Sequence, residues 1–424
     1  MTGARGRKMR GSSAVAILLV GFVSACAAEL RGQTLTEARA GFQTKIIRNL
    51  RDTETPDLPP AGKYKLILFP SAVGQLAAYL SGDPADGHKH PAVIWSHGGL
   101  GGISSYFFGE LPVDNEQSPK AFDEAGMVVM IPSWRGTANN PGRQEFFYGE
   151  VDDLLAAVKY VKTLPYVDPE RVYIVGHSTG ATLALLAAEA PAPVRAVFAF
   201  GAVGDVSGYL DGNGDPQAPF DASNADEIRL RSPVNFVAAV QSPTFCIEGS
   251  RSANARSLPL FQASADARNA PLHTFVVPHA THFNILHPIT RVIAAKIAAD
   301  TAPTCNIQIT SDELAKAFNT FLDEQARNRT SPLVTVTDAM SAHVAQLAQA
   351  RGIDPSKIYL RVDLTEDDRI LVRLTTAIQP GDLTSQTGSV NLALTPEANR
   401  AMNPIQLDYD NSSRKMVISH IKSP

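Results

Sequence analysis

An apolar, β-rich run from Val172 to Val175 leads through Gly176-His177-Ser178-Thr179-Gly180 directly into the Ala/Leu-rich stretch from Ala181 to Ala190. A chain with this text has to make a strand, turn sharply and begin a helix within one pentapeptide. The G-x-S-x-G pattern in that setting predicts a strained turn with the Ser178 hydroxyl at its apex. The flanking glycines leave room where side chains would clash. The hydroxyl then sits at a helix N-terminus, whose free N–H groups favour developing negative charge. Ser178 is therefore the candidate nucleophile; the plain alternative is a buried turn serine satisfied by backbone.

The surrounding text alternates strand and helix. Tyr64–Phe69, Gln75–Leu80, Ala92–Ser96, Met127–Ile131, Val194–Phe200, Pro243–Ile247 and Leu272–Val277 read as strands. Between them, Ala121–Ala125 is helical, and Gly149–Leu164 carries Val151, Leu154, Leu155, Val158 and Val161 at helical spacing. Pro288 is expected to open a closing helix over Ile289–Ala299. Strands separated by helices predict an α/β fold, a mostly parallel sheet with helices on both faces. Ligands in such sheets bind beyond the carboxyl ends of the strands.

Acyl transfer needs a nucleophile, a base, an orienting acid and an oxyanion hole. After an elbow of this kind the base comes later in the chain. Among ten histidines, His282 in Pro278-His279-Ala280-Thr281-His282-Phe283 follows the last expected core strand and is the preferred base, with His279 its nearest rival. His287 precedes a proline and reads as structural at the helix entry, His88, His90 and His177 read as surface or structural, and His273, inside an expected strand, reads as a satisfied structural histidine. For the acid, Glu248 stands at the end of the strand Pro243–Ile247, and Asp205, after the preceding strand, remains an alternative. His97-Gly98-Gly99 follows its own strand. Backbone N–H groups of Gly98 or Gly99, with that of Thr179, are the candidate oxyanion hole.

The segment from His97 to His282 resembles the α/β-hydrolase superfamily, in its prolyl oligopeptidase and dienelactone hydrolase branch. The resemblance rests on HGG at 97–99, SWRG at 133–136, GEVDDLLAAVKYV at 149–161, DPERVYIVGHSTGA at 168–181, SP at 232–233, PTFCIEG at 243–249 and HATHF at 279–283. It implies a two-step acyl-enzyme mechanism, and an SWRG turn and acidic helix that brace the active-site face. The acid motif departs from the family, with Ser252 in the slot where an aspartate is expected. Too little chain precedes the hydrolase for the β-propeller of the oligopeptidases. The expected substrate is therefore a small-molecule ester or a short peptide. A non-catalytic, lipid-anchored binding protein on a degenerate hydrolase scaffold is the competing reading, sustained by the altered acid motif.

At 424 residues, with 44% hydrophobic and 19% charged residues, the chain is long enough for two domains with a large core. A net charge of −4 without a long basic run beyond the N-terminus gives no footprint for nucleic acid. Arg5, Arg7, Lys8 and Arg10 before the apolar run Ala14–Val23 form an export signal, too short to span a bilayer comfortably. Val23-Ser24-Ala25-Cys26 resembles a bacterial lipobox, which implies lipid on Cys26 and a place at the periplasmic face of a membrane, with Ala27 leaning towards the outer membrane. No motif calls for a metal or cofactor. Cys246 and Cys305 are left as a possible disulfide or two separate thiols. The expected division is 1–26 as leader, 27–327 as hydrolase and 333–424 as a small α+β domain. VTVTDAMSAHVAQLAQARG and IQLDYDNSSRKMVI give that last module a resemblance to the HesB-like iron–sulfur carrier fold, without the family's cysteines. Asp211-Gly212-Asn213-Gly214-Asp215 begins like a calcium loop but has Pro216 and Ala222 at later key positions, and reads as a flexible loop.

Overall fold

The computed structural model describes residues 32–210, 218–329, 331–365 and 367–421. Cys26 with its leader, and the Asp211–Asp215 loop, lie outside the described residues. Among the described residues no helix is long and apolar enough to cross a membrane. Two compact units are present: one holds residues up to 248 with 252–276 and 282–308, the other 249–251, 277–281 and 309 onward.

The first unit is built on an eight-stranded sheet of β1 (Tyr64–Ser71), β2 (Gly74–Ser81), β3 (His90–Ser96), β4 (Val128–Pro132), β5 (Val167–His177), β6 (Ala196–Phe200), β7 (Thr244–Gly249) and β8 (Leu272–Val277). The spatial order is β1-β2-β4-β3-β5-β6-β7-β8. From β4 to β7 the pairing is parallel, while β1 and β2 form an antiparallel hairpin that docks antiparallel on β4. This is the α/β-hydrolase sheet the motifs led us to expect. The central strands read as unbroken apolar runs because both faces are covered: every residue of β4 and β6 is buried.

Helix α1 (Leu35–Arg39) opens the described chain with a capping box between Thr34 and Glu37. Helix α2 is Lys120–Glu124, α3 Gly149–Val161 and α4 Thr179–Glu189. Every residue of α4 is buried, as its Ala/Leu text demands. A Cβ on Gly180 would lie 1.9 Å from the Ser96 carbonyl oxygen, and one on Gly176 would lie 2.3 Å from the Gly180 carbonyl oxygen. The elbow glycines thus let the helix lie directly on β3 and β5. After a short α5 (Ala225–Arg229) and α6 (Leu258–Asp266), the closing helix α7 spans Leu286–Ala299. It starts earlier than expected, and Pro288 sits inside its first turn, where the missing N–H has no helical partner to lose.

The second unit contains a four-stranded sheet, β11-β10-β13-β12, and a three-stranded sheet, β15-β14-β9. Its strands are β9 (Val334–Val336), β10 (Tyr359–Leu364), β11 (Ile370–Thr375), β12 (Leu383–Thr387), β13 (Val390–Leu394), β14 (Ile405–Asp410) and β15 (Lys415–His420). Its helices are α8 (Ser311–Asn328), α9 (Asp338–Ala350) and α10 (Pro396–Ala401). The cap of α8 is Thr310, whose side chain accepts from the Glu313 N–H. The division anticipated at residue 327 falls inside this unit, because α8 buries Leu314, Phe318, Phe321 and Leu322 within it and its Asp323 meets Arg400 of α10 at 2.8 Å.

Candidate active site

The strand β5 delivers its chain into a backbone conformation that few side chains tolerate. Ser178 has φ 57° and ψ −121°, a sparsely populated region that persists only where the surroundings hold it. They do so here. The Ser178 N–H donates to the Phe200 carbonyl at 2.8 Å, and the Ser178 carbonyl accepts from Ala181 and Thr182, the first turn of α4. The serine remains partly exposed while its neighbours His177 and Thr179 are buried.

The glycine turn after β3 lies against this elbow. The Thr179 hydroxyl donates to the Gly99 carbonyl at 2.7 Å, so the helix start and the turn are tied together. A Cβ on Gly98 would lie 3.1 Å from His177 Nδ1 and 3.3 Å from Ser178 Cβ, and Gly99 adopts φ +82°. Thr179 is the first residue of α4, so its N–H has no partner inside the helix. The three residues proposed for the oxyanion hole are therefore brought together around one spot beside the serine.

Glu248 and His282 meet behind it. Nδ1 of His282 lies 2.8 Å from Oε2 of Glu248, whose side chain is 1% exposed. A carboxylate can only accept, so this contact places the ring proton on Nδ1 and leaves Nε2 as the basic nitrogen. Glutamate is one methylene longer than aspartate, and the space for it comes from Gly201. At φ +75° this residue follows β6, and a Cβ there would lie 2.4 Å from both Glu248 Oε2 and His282 Cε1. Sequence reading missed Gly201; its only signal was a glycine at the end of a core strand.

His177, read from sequence as surface or structural, is fully buried. Its ring lies 4.6 Å from that of His282, and its Nε2–H donates to the His282 carbonyl at 3.0 Å. Burial and the neighbouring imidazole push its pKa down to about 3, so it is a neutral strut under the base. The other candidates are engaged elsewhere. Asp205 caps the 3-10 turn Val206–Tyr209 by accepting from the Ser207 N–H at 2.8 Å. His287 is paired with the Glu116 carboxylate and His90 with Asp86 at 3.0 Å, whereas His273, expected to be structural within its strand, is exposed because it lies on the outer face of β8. His279 belongs to the second unit, with its N–H on Ser250 Oγ at 2.8 Å. Cys246 is buried and Cys305 partly so, and they are not bonded to one another.

The SWRG turn braces this face as the resemblance implied. Arg135 makes a two-pronged contact with Asp153 of α3, Nε to Oδ2 at 2.9 Å and Nη2 to Oδ1 at 2.8 Å, and reaches Glu145 at 3.1 Å. Gly149 opens α3 because the Arg135 guanidinium occupies the place of its Cβ, at 1.9 Å.

Residues 114–292 match the prolyl oligopeptidase family, a span that covers Ser178, Glu248 and His282. An uncharacterised peptidase of Bacillus subtilis, YtmA, is 21% identical over 214 residues, 48% of this chain and 80% of the relative. Among solved structures, dipeptidyl peptidase 4 of Porphyromonas gingivalis is 20% identical with a TM-score of 0.40, over 50% of this chain and 31% of that one. An acylaminoacyl peptidase of Pyrococcus horikoshii is 14% identical with a TM-score of 0.48, over 59% of this chain and 44% of that one. An esterase of Pyrococcus furiosus, Pf2001, is 15% identical with a TM-score of 0.46, over 59% of this chain and 97% of that one. The chain thus spans less than half the length of the two peptidase structures. The family match lies over the strand, elbow and helix that carry Ser178: the chain contains a prolyl oligopeptidase-family serine-hydrolase domain on an α/β-hydrolase sheet.

Proposed function

We propose that the protein is an exported enzyme that cleaves carboxylic esters, and less readily short peptide bonds, through an acyl-enzyme on Ser178. The observation that carries the assignment of roles is the 2.8 Å contact between His282 Nδ1 and Glu248 Oε2, on the loop that His177 ties to the elbow. In this reading His282 Nε2 takes the Ser178 proton as the hydroxyl oxygen attacks the ester carbonyl. The N–H groups of Thr179 and of Gly98 or Gly99 receive the resulting oxyanion. Collapse breaks the carbon–oxygen bond, and the His282 proton leaves with the alcohol. Water, deprotonated by the same nitrogen, then releases the acid and restores Ser178. Glu248 holds the ring and balances its transient charge.

A fluorophosphonate probe on protein lacking the residues before Cys26 tests the nucleophile. Labelling that disappears in Ser178→Ala is expected, followed by turnover of p-nitrophenyl esters above matched peptide anilides. A folded protein that does not label sinks the assignment; anilides turned over faster than esters sink the ester preference. For localisation we propose lipid on Cys26 at the periplasmic face of the outer membrane, with 333–424 as an accessory module. Radiolabelled palmitate incorporated by the full chain but also by Cys26→Ser would refute that anchor.

A further inference from the structure

The loop that carries His282 returns to the core at Ile285 and Leu286, both fully buried, and Ala280 ahead of the histidine is buried too. Phe283, directly after the base, is the exception: 43% of its surface is exposed. Single exposed apolar residues are common and mean nothing by themselves. This one is held in a fixed orientation beside the reacting groups. Its ring stands edge-on to that of His282, with centroids 5.0 Å apart and planes at 77°. It also stands edge-on to the His177 ring, at 5.8 Å and 63°. Edge-to-face contact is a preferred arrangement for aromatic rings. His177 is itself tied to this loop through its Nε2–H on the His282 carbonyl. Phe283 is thus an oriented aromatic surface, reachable from solvent, that touches the ring of the base.

The reaction decides which part of an ester meets this surface. The carbonyl oxygen is received by the N–H groups of Thr179 and of Gly98 or Gly99, while His282 must hand its proton to the oxygen of the departing alcohol. The alcohol therefore lies beside the base, and a ring packed against the base flanks the alcohol. An aromatic group carried there covers the exposed part of Phe283 and removes apolar surface of both from water.

We propose that Phe283 is a specificity-determining residue that forms the leaving-group subsite and selects esters of aromatic alcohols, benzyl or phenyl, over those of small aliphatic ones. This deepens the reading of Ser178 and His282 as nucleophile and base, and rests on it. The contact exists while the serine is being acylated and is gone once the alcohol has left.

Benzyl acetate and methyl phenylacetate test it. They are isomers that carry the same phenylmethyl group on opposite sides of the ester, and both can be followed by proton release. Intrinsic reactivity cancels when the ratio of their kcat/KM values is compared between enzymes. From the wild type to Phe283→Leu, which stays apolar but loses the flat ring, the ratio of benzyl acetate to methyl phenylacetate is expected to fall ~10-fold, the size of one aromatic contact with its burial. Phe283→Tyr keeps the ring and should keep most of the ratio. Acylation by benzyl acetate should also lose more in Phe283→Leu than hydrolysis of the acetyl-enzyme does, measured by mass spectrometry after a pulse of substrate.

An unchanged ratio overturns the subsite; if both esters and the acetyl-enzyme are slowed alike, Phe283 positions His282 instead. A ratio that rises puts the ring on the acyl side and overturns it as well. No Ser178-dependent turnover of either ester, in a folded wild type, overturns the hydrolase reading with it.

Discussion

At the scale of single residues, the identity of the acid is the sharpest test. Glu248 touches the base, whereas Asp205 spends its carboxylate on the Ser207 N–H. Glu248→Gln keeps the shape but lets an amide face Nδ1, which favours the wrong tautomer. Turnover should fall ~10³- to 10⁴-fold, with a near-native circular dichroism spectrum. Asp205→Asn should stay within about threefold of wild type in kcat. The reverse ranking in steady-state kinetics would reassign the acid. Sequence carried this far because Glu248 stands at a strand end, where such sheets keep their chemistry. It left Asp205 open because only tertiary contact tells a carboxylate beside an imidazole from one that caps a turn.

At the scale of elements, the elbow depends on how closely α4 rides on β3. Gly180→Ala would place a methyl within 1.9 Å of the Ser96 carbonyl, backbone against backbone, with no flexible side chain to yield. The helix must lift, which costs ~3 kcal/mol or more and moves Ser178 with it. Urea midpoints and fluorophosphonate labelling should therefore fall together; unchanged labelling would show the close approach to be dispensable. Strand and helix periods made β3 to β8 and α3 readable, because each buries a regular apolar pattern. β12 was not read, since Leu383-Thr384-Ser385-Gln386-Thr387 is almost wholly exposed and leaves no apolar alternation to detect. The closing helix begins at Leu286 rather than at Pro288 because proline is tolerated throughout a first turn and so does not fix where a helix opens.

At the scale of the whole molecule, two buried carboxyls set how stability depends on pH. Burial raises the pKa of Glu189, whose two oxygens have no hydrogen-bond partner, well above 4.5, and that of Glu150 to about 7. Both folded values exceed the unfolded one. Their contribution is thus fully present below about pH 4.5 and is lost as pH rises through the folded values, at up to ~1.4 kcal/mol per unit and per group. On the acid side, burial is outweighed at Asp300 by Arg195 and Tyr173, which hold its pKa at about 2, so that contribution is lost as pH falls below 3.8. Melting scans from pH 5 to 8 should show Tm declining, and Glu189→Gln should flatten the decline, with its advantage over wild type growing with pH. An equal shift at all pH values would mean that Glu189 does not titrate with folding. None of this was legible in the sequence, where both glutamates lie in helices that read as ordinary amphipathic or apolar runs.

The missing Cβ at Gly201 also bears on how this active site could have changed through descent. Glu248 occupies space that any larger residue at 201 would close, and an aspartate at 248 would draw the carboxylate back from His282 Nδ1. Neither position can drift alone without passing through a crippled enzyme. An aspartate at 248 would release position 201 from the demand for glycine, whereas the glutamate here needs both residues together.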